Sequence, residues 1–187
     1  MPLPTAYLYM KRRLIIVSNR LPVTVNKKHG ELFYYPSAGG LATGLNSLDS
    51  SLERIWIGWP GYEISKRSEQ KTVKTDLNKS GLVPVFLTHE EIESYYEGFS
   101  NKVIWPHFHY FSQYTNYNDD YWNAYVAVNK KFASVVLKQI RRNDILWIHD
   151  YQLLLLPQMI REKHPSISIG FFLHIPFPSY ELFRVLP

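Results

Sequence analysis

Cysteine is absent from all 187 residues, which excludes a disulfide framework and a thiolate metal site and fits a reducing compartment. Long apolar runs are missing too. The start, "MPLPTAYLYMKRRLIIVSNR", has no apolar core behind a basic head, and no later stretch is long enough to span a bilayer. The expectation is a soluble cytoplasmic protein with no membrane partner. Blocks of one charge are also lacking. The net charge of +5 arises from short groups, Lys11-Arg12-Arg13, Lys27-Lys28, Lys66-Arg67, Lys130-Lys131 and Arg141-Arg142, which acidic or neutral stretches separate and which follow no helical stripe. That scatter speaks for solvated faces and against a nucleic-acid partner. There is no internal repeat, low-complexity segment or linker.

What is present is an ordinary globular balance, 45% apolar and 20% charged, enough for one compact core. The aromatic share of 16%, with 14 Tyr and 5 Trp, hints at ring-lined surfaces that stack on flat or sugar-like ligands. Leu14-Ile15-Ile16-Val17 is a short, wholly apolar run of the kind buried on both faces of a parallel sheet. "RIWIGWPG", "LVPVFLT", "ILWIHD" and "SIGFFLH" read as further strands, and Tyr34-Tyr35 as the second arm of a hairpin. "LATGLNSL" reads as the start of a helix. Thr88 caps "HEEIESYYEGF", with Glu90 and Glu91 in its first turn. Tyr125, Val128, Phe132, Val135, Val136 and Ile140 recur at helical spacing after "NYNDD", opposite Lys130, Lys131 and Lys138. "YQLLLLPQMIREKH" is read as one helix, and "SYELFRVLP" as the beginning of another. Such alternation predicts an α/β fold: a mostly parallel, Rossmann-like sheet with flanking helices and right-handed crossovers.

The strand ends carry the chemistry. "LIIVSNR" ends on Ser18-Asn19-Arg20, "ILWIHD" on His149-Asp150, and "GFFLH" on His174. In an open α/β sheet the carboxyl ends of parallel strands line one crevice, so a guanidinium, a carboxylate and an imidazole are expected to share a site. Each has a plainer alternative: Asp150 as the cap of a helix starting at Tyr151, His149 and His174 as satisfied core histidines, Arg20 as a surface arginine. Gly39 and Gly40 in "SAGGLATGL" suit a backbone approach to phosphate at a helix start, although paired glycines at a turn are routine. Trp59 and Trp105, each followed by proline, favour a rim or pocket wall. Tyr95, Tyr96 and Phe99 form an aromatic stripe of the kind usually found in a core. "HFH", His107 and His109, alternates as a strand-borne metal pair would, but with no third ligand nearby no metal site is expected.

"VSNRLPV", "SAGGLATGL", "WIGWPG", "EEIESYYEGFSNKVIWPHFHY", "WIHDYQLLLLP" and "IGFFLHIPFPS", in this order and spacing, resemble the amino-terminal half of the trehalose-6-phosphate synthase family from about Arg13 to Pro187. That resemblance implies a retaining glycosyltransferase of the GT-B fold, two Rossmann-like domains facing across a cleft. It passes glucose from UDP-glucose to glucose 6-phosphate in trehalose biosynthesis without a metal or other cofactor. It further implies that Arg20 meets the acceptor's phosphate and that Tyr96 and Asp150 hold the acceptor sugar. Gly39 and Gly40 would meet the donor's diphosphate, His174 the donor glucose near the reacting centre, and Trp105 would shape the acceptor pocket and help select the anomer; Trp59 joins the substrate-binding candidates from its place at a strand end. The implied mechanism is front-face transfer with retention, in which the leaving phosphate helps to deprotonate the incoming hydroxyl and no enzymic nucleophile is needed.

Gln152 stands where many members have a second histidine. The last unit breaks off in a helix barely begun at Pro187, so residues 1–187 are expected to be the amino-terminal, acceptor-side domain of a GT-B fold, truncated at its carboxyl end, lacking the nucleotide-binding domain and without appreciable synthase activity by itself. Neighbouring alternatives are a transferase with another acceptor, such as a glucosylglycerol-phosphate synthase or a pseudo-glycosyltransferase. A different class is a non-catalytic sugar-phosphate sensor module. A homo-oligomer is compatible with the sequence.

Overall fold

The computed structural model describes residues 12–37, 44 and 52–187. Gly39, Gly40 and the helix expected over "LATGLNSL" fall outside them, Gly44 excepted. Strand β1 (Arg13–Arg20) buries Ile15, Ile16 and Val17 on both faces, as its β-branched run dictates. A hairpin follows, β2 (Val23–Lys28) with β3 (Glu31–Pro36), turning through His29 and Gly30 at positive φ. Next come β4 (Glu53–Trp59), α1 (Arg67–Asn78) and β5 (Leu82–Pro84).

A continuous helical rod then runs through α2 (His89–Glu91), a π-helix π1 (Ile92–Ile104) and α3 (Trp105–Phe108). Thr88 opens it with the expected cap, in fact a reciprocal capping box with Glu91. The amphipathic helix α4 (Asp119–Gln139) buries Tyr125, Val128, Phe132 and Val136 along one stripe. After β6 (Ile145–His149) the segment read as one helix divides into a 3₁₀ turn (Tyr151–Leu153) and α5 (Leu156–Lys163), with Pro157 at the start of the latter. Strand β7 (Ser168–Phe172) and α6 (Tyr180–Phe183) complete the described chain.

Five strands form one parallel sheet in the order β5-β4-β1-β6-β7. The chain winds outward from β1 to β5, then returns to the other side of β1 to lay down β6, so the winding reverses between β1 and β6. Open α/β sheets bind ligands at such a reversal, beyond the carboxyl ends of the strands. One face of the sheet packs Ile15, Val17, Ile57, Leu146 and Ile148 against π1, α4 and α5; the other packs Ile16 and Trp56 against Val25 of the hairpin and Val73 and Leu77 of α1.

At the opposite, amino-terminal edge, Arg13 donates from Nε and Nη2 to both carboxylate oxygens of Asp144, at 3.1 and 2.6 Å, and from Nη2 to the Gln139 carbonyl at 2.8 Å. The Arg141 backbone N–H donates to the same carboxylate at 2.7 Å, so the buried charges are paired and hydrogen-bonded. This clamp ties β1 to the turn that launches β6 and so sets the two strands that flank the reversal. No described helix is long and apolar enough to cross a membrane.

Candidate active site

At the carboxyl edge the last residue of β1, Arg20, is exposed and lies with its guanidinium carbon 5.2 Å from the centre of the Trp59 ring. Nη2 donates to Thr24 Oγ1 at 3.0 Å, and Thr24 is itself bonded to Ser37 at 2.9 Å. Its remaining N–H groups donate to no described residue, leaving a planar fork for an anion. Two glycines make this placement possible. At Gly58 a Cβ would come within 2.9 Å of the backbone of Arg20 and Leu21, while at Gly61, where φ is +79°, it would come within 2.1 Å of Arg20 Nη2.

Trp59 closes β4 almost fully buried, and the ring of Tyr96, from π1, meets it at 6.3 Å and 56°. Tyr95, the preceding residue, faces inward; its hydroxyl donates to Asn19 Oδ1 at 3.1 Å, fastening π1 to the end of β1. Burial pushes the Tyr95 hydroxyl well up in pKa, with the nearby tyrosines and Asp150 adding to it, so it remains a neutral donor.

Asp150 follows β6 at φ 75° and ψ 165°, a region of backbone space that belongs essentially to glycine and costs about 1–3 kcal/mol for other residues. The strain is held by three bonds. Its N–H donates to the Phe172 carbonyl at 2.8 Å, and Oδ1 accepts from the N–H groups of Tyr151 at 2.9 Å and His174 at 3.3 Å. Oδ2 accepts nothing from the described residues and is available to a sugar hydroxyl. The plainer alternative, Asp150 as a cap, is therefore true of one oxygen: it caps the 3₁₀ turn.

Burial raises the Tyr151 hydroxyl, and Asp150 and Tyr96 push it further up; this hydroxyl donates to Asn101 Oδ1 at 3.1 Å. His174 is exposed and its Nε2 sits 3.0 Å from Nδ1 of His149, a residue 1% exposed, with the two rings 5.3 Å apart and 23° from parallel. Burial, and then the neighbouring His174, lower His149 to about 4, so it is neutral across the physiological range.

Arg20, Trp59, Tyr96, Asp150 and His174 thus gather along one edge of the sheet, around the reversal between β1 and β6. Trp105 stands further out. It is 43% exposed, stacked on His109 at 4.2 Å, and with Asn101, Lys102, Pro106, Phe111 and Tyr114 it walls an open hollow of about 430 Å³. Asn101 links that hollow to Tyr151 and through it to Asp150. The strand-like alternation of His107 and His109 is not realised: His107 lies within α3 and His109 directly after it, so the two rings do not share a strand face. His107 is buried and bonds the Leu182 carbonyl at 2.7 Å. Among the described residues no group of three or more His, Asp or Glu side chains is arranged to hold a metal ion.

A sequence model of glycosyltransferase family 20 matches residues 12–187. The chain belongs to glycosyltransferase family 20. Curated relatives of this family 20 chain include an alpha,alpha-trehalose-phosphate synthase [UDP-forming] A of Dictyostelium discoideum, 48% identical over 177 residues, covering 94% of the chain and 24% of that relative. The Candida albicans alpha,alpha-trehalose-phosphate synthase [UDP-forming] is 44% identical over 181 residues, covering 94% and 38%. The family 20 chain therefore spans well under half the length of these relatives.

Solved structures agree in fold. A Burkholderia xenovorans synthase in complex with glucose-6-phosphate matches with a TM-score of 0.71 at 31% identity, over 94% of the chain and 36% of that structure. An Escherichia coli protein bound with UDP-2-fluoro glucose matches with a TM-score of 0.72 at 32% identity, over the same shares of 94% and 36%. The fold of the family 20 chain is thus that of the amino-terminal part of these transferases.

The contact between His149 and His174 is not visible in the sequence, where His149 stands at a strand end either as part of the shared site or as a core histidine. The contacts of Asn19, Thr24 and Asn101 are not visible there either. His149 and Asn19 each had a sequence signal, a place beside Asp150 or Arg20 at a strand end; nothing in the spacing marks Thr24 or Asn101.

Proposed function

We propose that this chain is the acceptor-side domain, residues 1–187, of a UDP-forming alpha,alpha-trehalose-phosphate synthase, in which a second Rossmann-like domain grips the nucleotide across the cleft. The observation that carries this reading is the pairing of an open guanidinium fork at Arg20 with a free carboxylate oxygen at Asp150 on one sheet edge. A hexose phosphate presents complementary groups, a phosphate for the fork and hydroxyls for the carboxylate. Trp59 seats the Arg20 guanidinium, and Tyr96 packs against Trp59. His174 and the amides of Gly39 and Gly40 then serve the UDP-glucose side, and Trp105 the outer wall of the acceptor pocket.

Transfer would proceed on the front face. The acceptor hydroxyl, oriented by Asp150, attacks the anomeric carbon as the bond to UDP breaks, and its proton passes to the departing diphosphate. The protein's part in this is orientation and electrostatic stabilisation of an oxocarbenium-like state. A nucleophilic carboxylate is not required, in contrast to the paired carboxylates of glycoside hydrolysis. A cytoplasmic location fits phosphorylated and nucleotide-linked sugars as substrates.

Titration of the purified chain with glucose 6-phosphate, followed by tryptophan fluorescence, tests the acceptor assignment. Saturable binding is expected, with glucose much weaker. Arg20→Ala removes charge-assisted hydrogen bonds worth about 1.5–3 kcal/mol, so affinity should fall about 10- to 100-fold. Binding undiminished in Arg20→Ala, or no saturation at all, overturns the assignment. Tighter binding of glycerol 3-phosphate than of glucose 6-phosphate would redirect it to another acceptor.

A further inference from the structure

His149 is a buried titratable side chain at the crevice to which the proposed chemistry gives no task. It lies at the end of β6 among the rings of Trp147 at 4.5 Å, Phe172 at 6.3 Å and His174 at 5.3 Å, and its Nε2 is buried with no hydrogen-bond partner among the described residues. Its Nδ1 meets His174 Nε2 at 3.0 Å. Two nitrogens at that separation need one proton between them, which leaves two arrangements for neutral rings. If His174 donates, the proton of His149 sits on Nε2, a buried N–H with nothing to receive it. If His149 donates from Nδ1, Nε2 carries only an unused lone pair. Orphaned buried N–H groups are rarer in folded proteins than under-used acceptors, and leaving a buried donor unsatisfied costs about 1–3 kcal/mol. The second arrangement is therefore preferred. With His174 Nε2 occupied as an acceptor, the remaining proton of its neutral ring lies on Nδ1.

We propose that His149 is a positioning residue: its buried imidazole fixes the tautomer of His174, so that the exposed His174 ring presents an N–H, at Nδ1, to an oxygen atom of the ligand in the crevice. His174 is oriented from two sides, since its own backbone N–H is held by Asp150 Oδ1 at 3.3 Å, and the Phe172 ring lies 4.6 Å from its own. His174 thereby becomes a hydrogen-bond donor of fixed direction, suited to a hydroxyl or phosphoryl oxygen. The sugar nucleotide as the source of that oxygen rests on the proposed function; the tautomer does not.

Nitrogen-15 NMR of the histidine rings in the full chain tests this without any ligand. Near neutral pH, His174 should show a protonated Nδ1 and an unprotonated Nε2, and His149 a protonated Nδ1. In His149→Phe the single tautomer should be lost, and the His174 nitrogens should move to the averaged shifts of a free histidine. In His149→Asn the side-chain amide stands close to the former Nδ1–H and should keep His174 in one form. A proton on His174 Nε2 in the wild type, or an unmoved tautomer in folded His149→Phe, overturns the proposal. Should His149→Phe fail to fold, the wild-type tautomer and its retention in His149→Asn decide. Failure of the functional reading would appear separately, in the glucose 6-phosphate titration.

Discussion

Acidification through the range in which histidines titrate should destabilise this protein through His149. Its pKa falls from 6.5 to about 4 in the folded chain, chiefly because burial disfavours the charged ring. Between those values the unfolded chain binds a proton that the folded chain refuses. Stability is therefore undiminished above about pH 6.5, declines as the pH falls toward about 4, and levels off below it. At about pH 5 the unfolded state gains a factor of about 30 in proton binding, equivalent to about 2 kcal/mol. Urea denaturation of the wild type and of His149→Asn at about pH 7.5 and about pH 5 measures the effect, and the difference between the two proteins removes what the carboxylates contribute. The wild type should lose about 2 kcal/mol more than the variant over this interval. Equal losses in both would refute the reasoning, because they would mean that His149 is protonated as readily folded as unfolded.

Gly61→Ala should act on ligand binding more than on stability: the new methyl displaces the end of the Arg20 side chain, found 2.1 Å away, from its seat over Trp59. Glucose 6-phosphate affinity should fall toward that of Arg20→Ala, with a stability loss of about 1–2 kcal/mol from the positive φ; calorimetric titration and thermal melts read the two separately, and unchanged affinity would count against the seat. Asp144→Ala leaves Arg13 buried without its partner and should cost about 3–5 kcal/mol in denaturant unfolding, far more than an exposed pair such as Lys79 with Asp76.

Those elements were legible in the sequence whose local pattern and tertiary role coincide. The apolar run that became β1, the stripe through Tyr125, Val128, Phe132 and Val136 and the Thr88 cap each state in a few residues what the fold then does with them. Helix α1 was not legible because Val73 and Leu77 are its buried residues, too short a stripe to register as periodic. The π-helix was hidden for the opposite reason: Tyr95, Phe99, Val103 and Ile104 lie inward, a spacing that an α-helix imitates over a turn or two. Part of the site was readable, since Arg20, Asp150 and His174 sit at strand ends and a parallel sheet carries strand ends to one edge. The partnership of His149 with His174 depends on the register of β6 against β7, in which His149 lies opposite Phe172, and no local pattern encodes that. Asn101 reaches Tyr151 across 50 residues for the same kind of reason.

The wide helix between Ile92 and Ile104 sets the angular relation between Tyr96, which faces Trp59, and Trp105, which walls the outer hollow. Dropping a single residue between them would swing one aromatic by roughly a quarter turn around the axis relative to the other. Changes in chain length are therefore barred along this wall. If the proposed acceptor pocket holds, its lining can change by exchange of side chains more readily than by insertion or deletion within this helix.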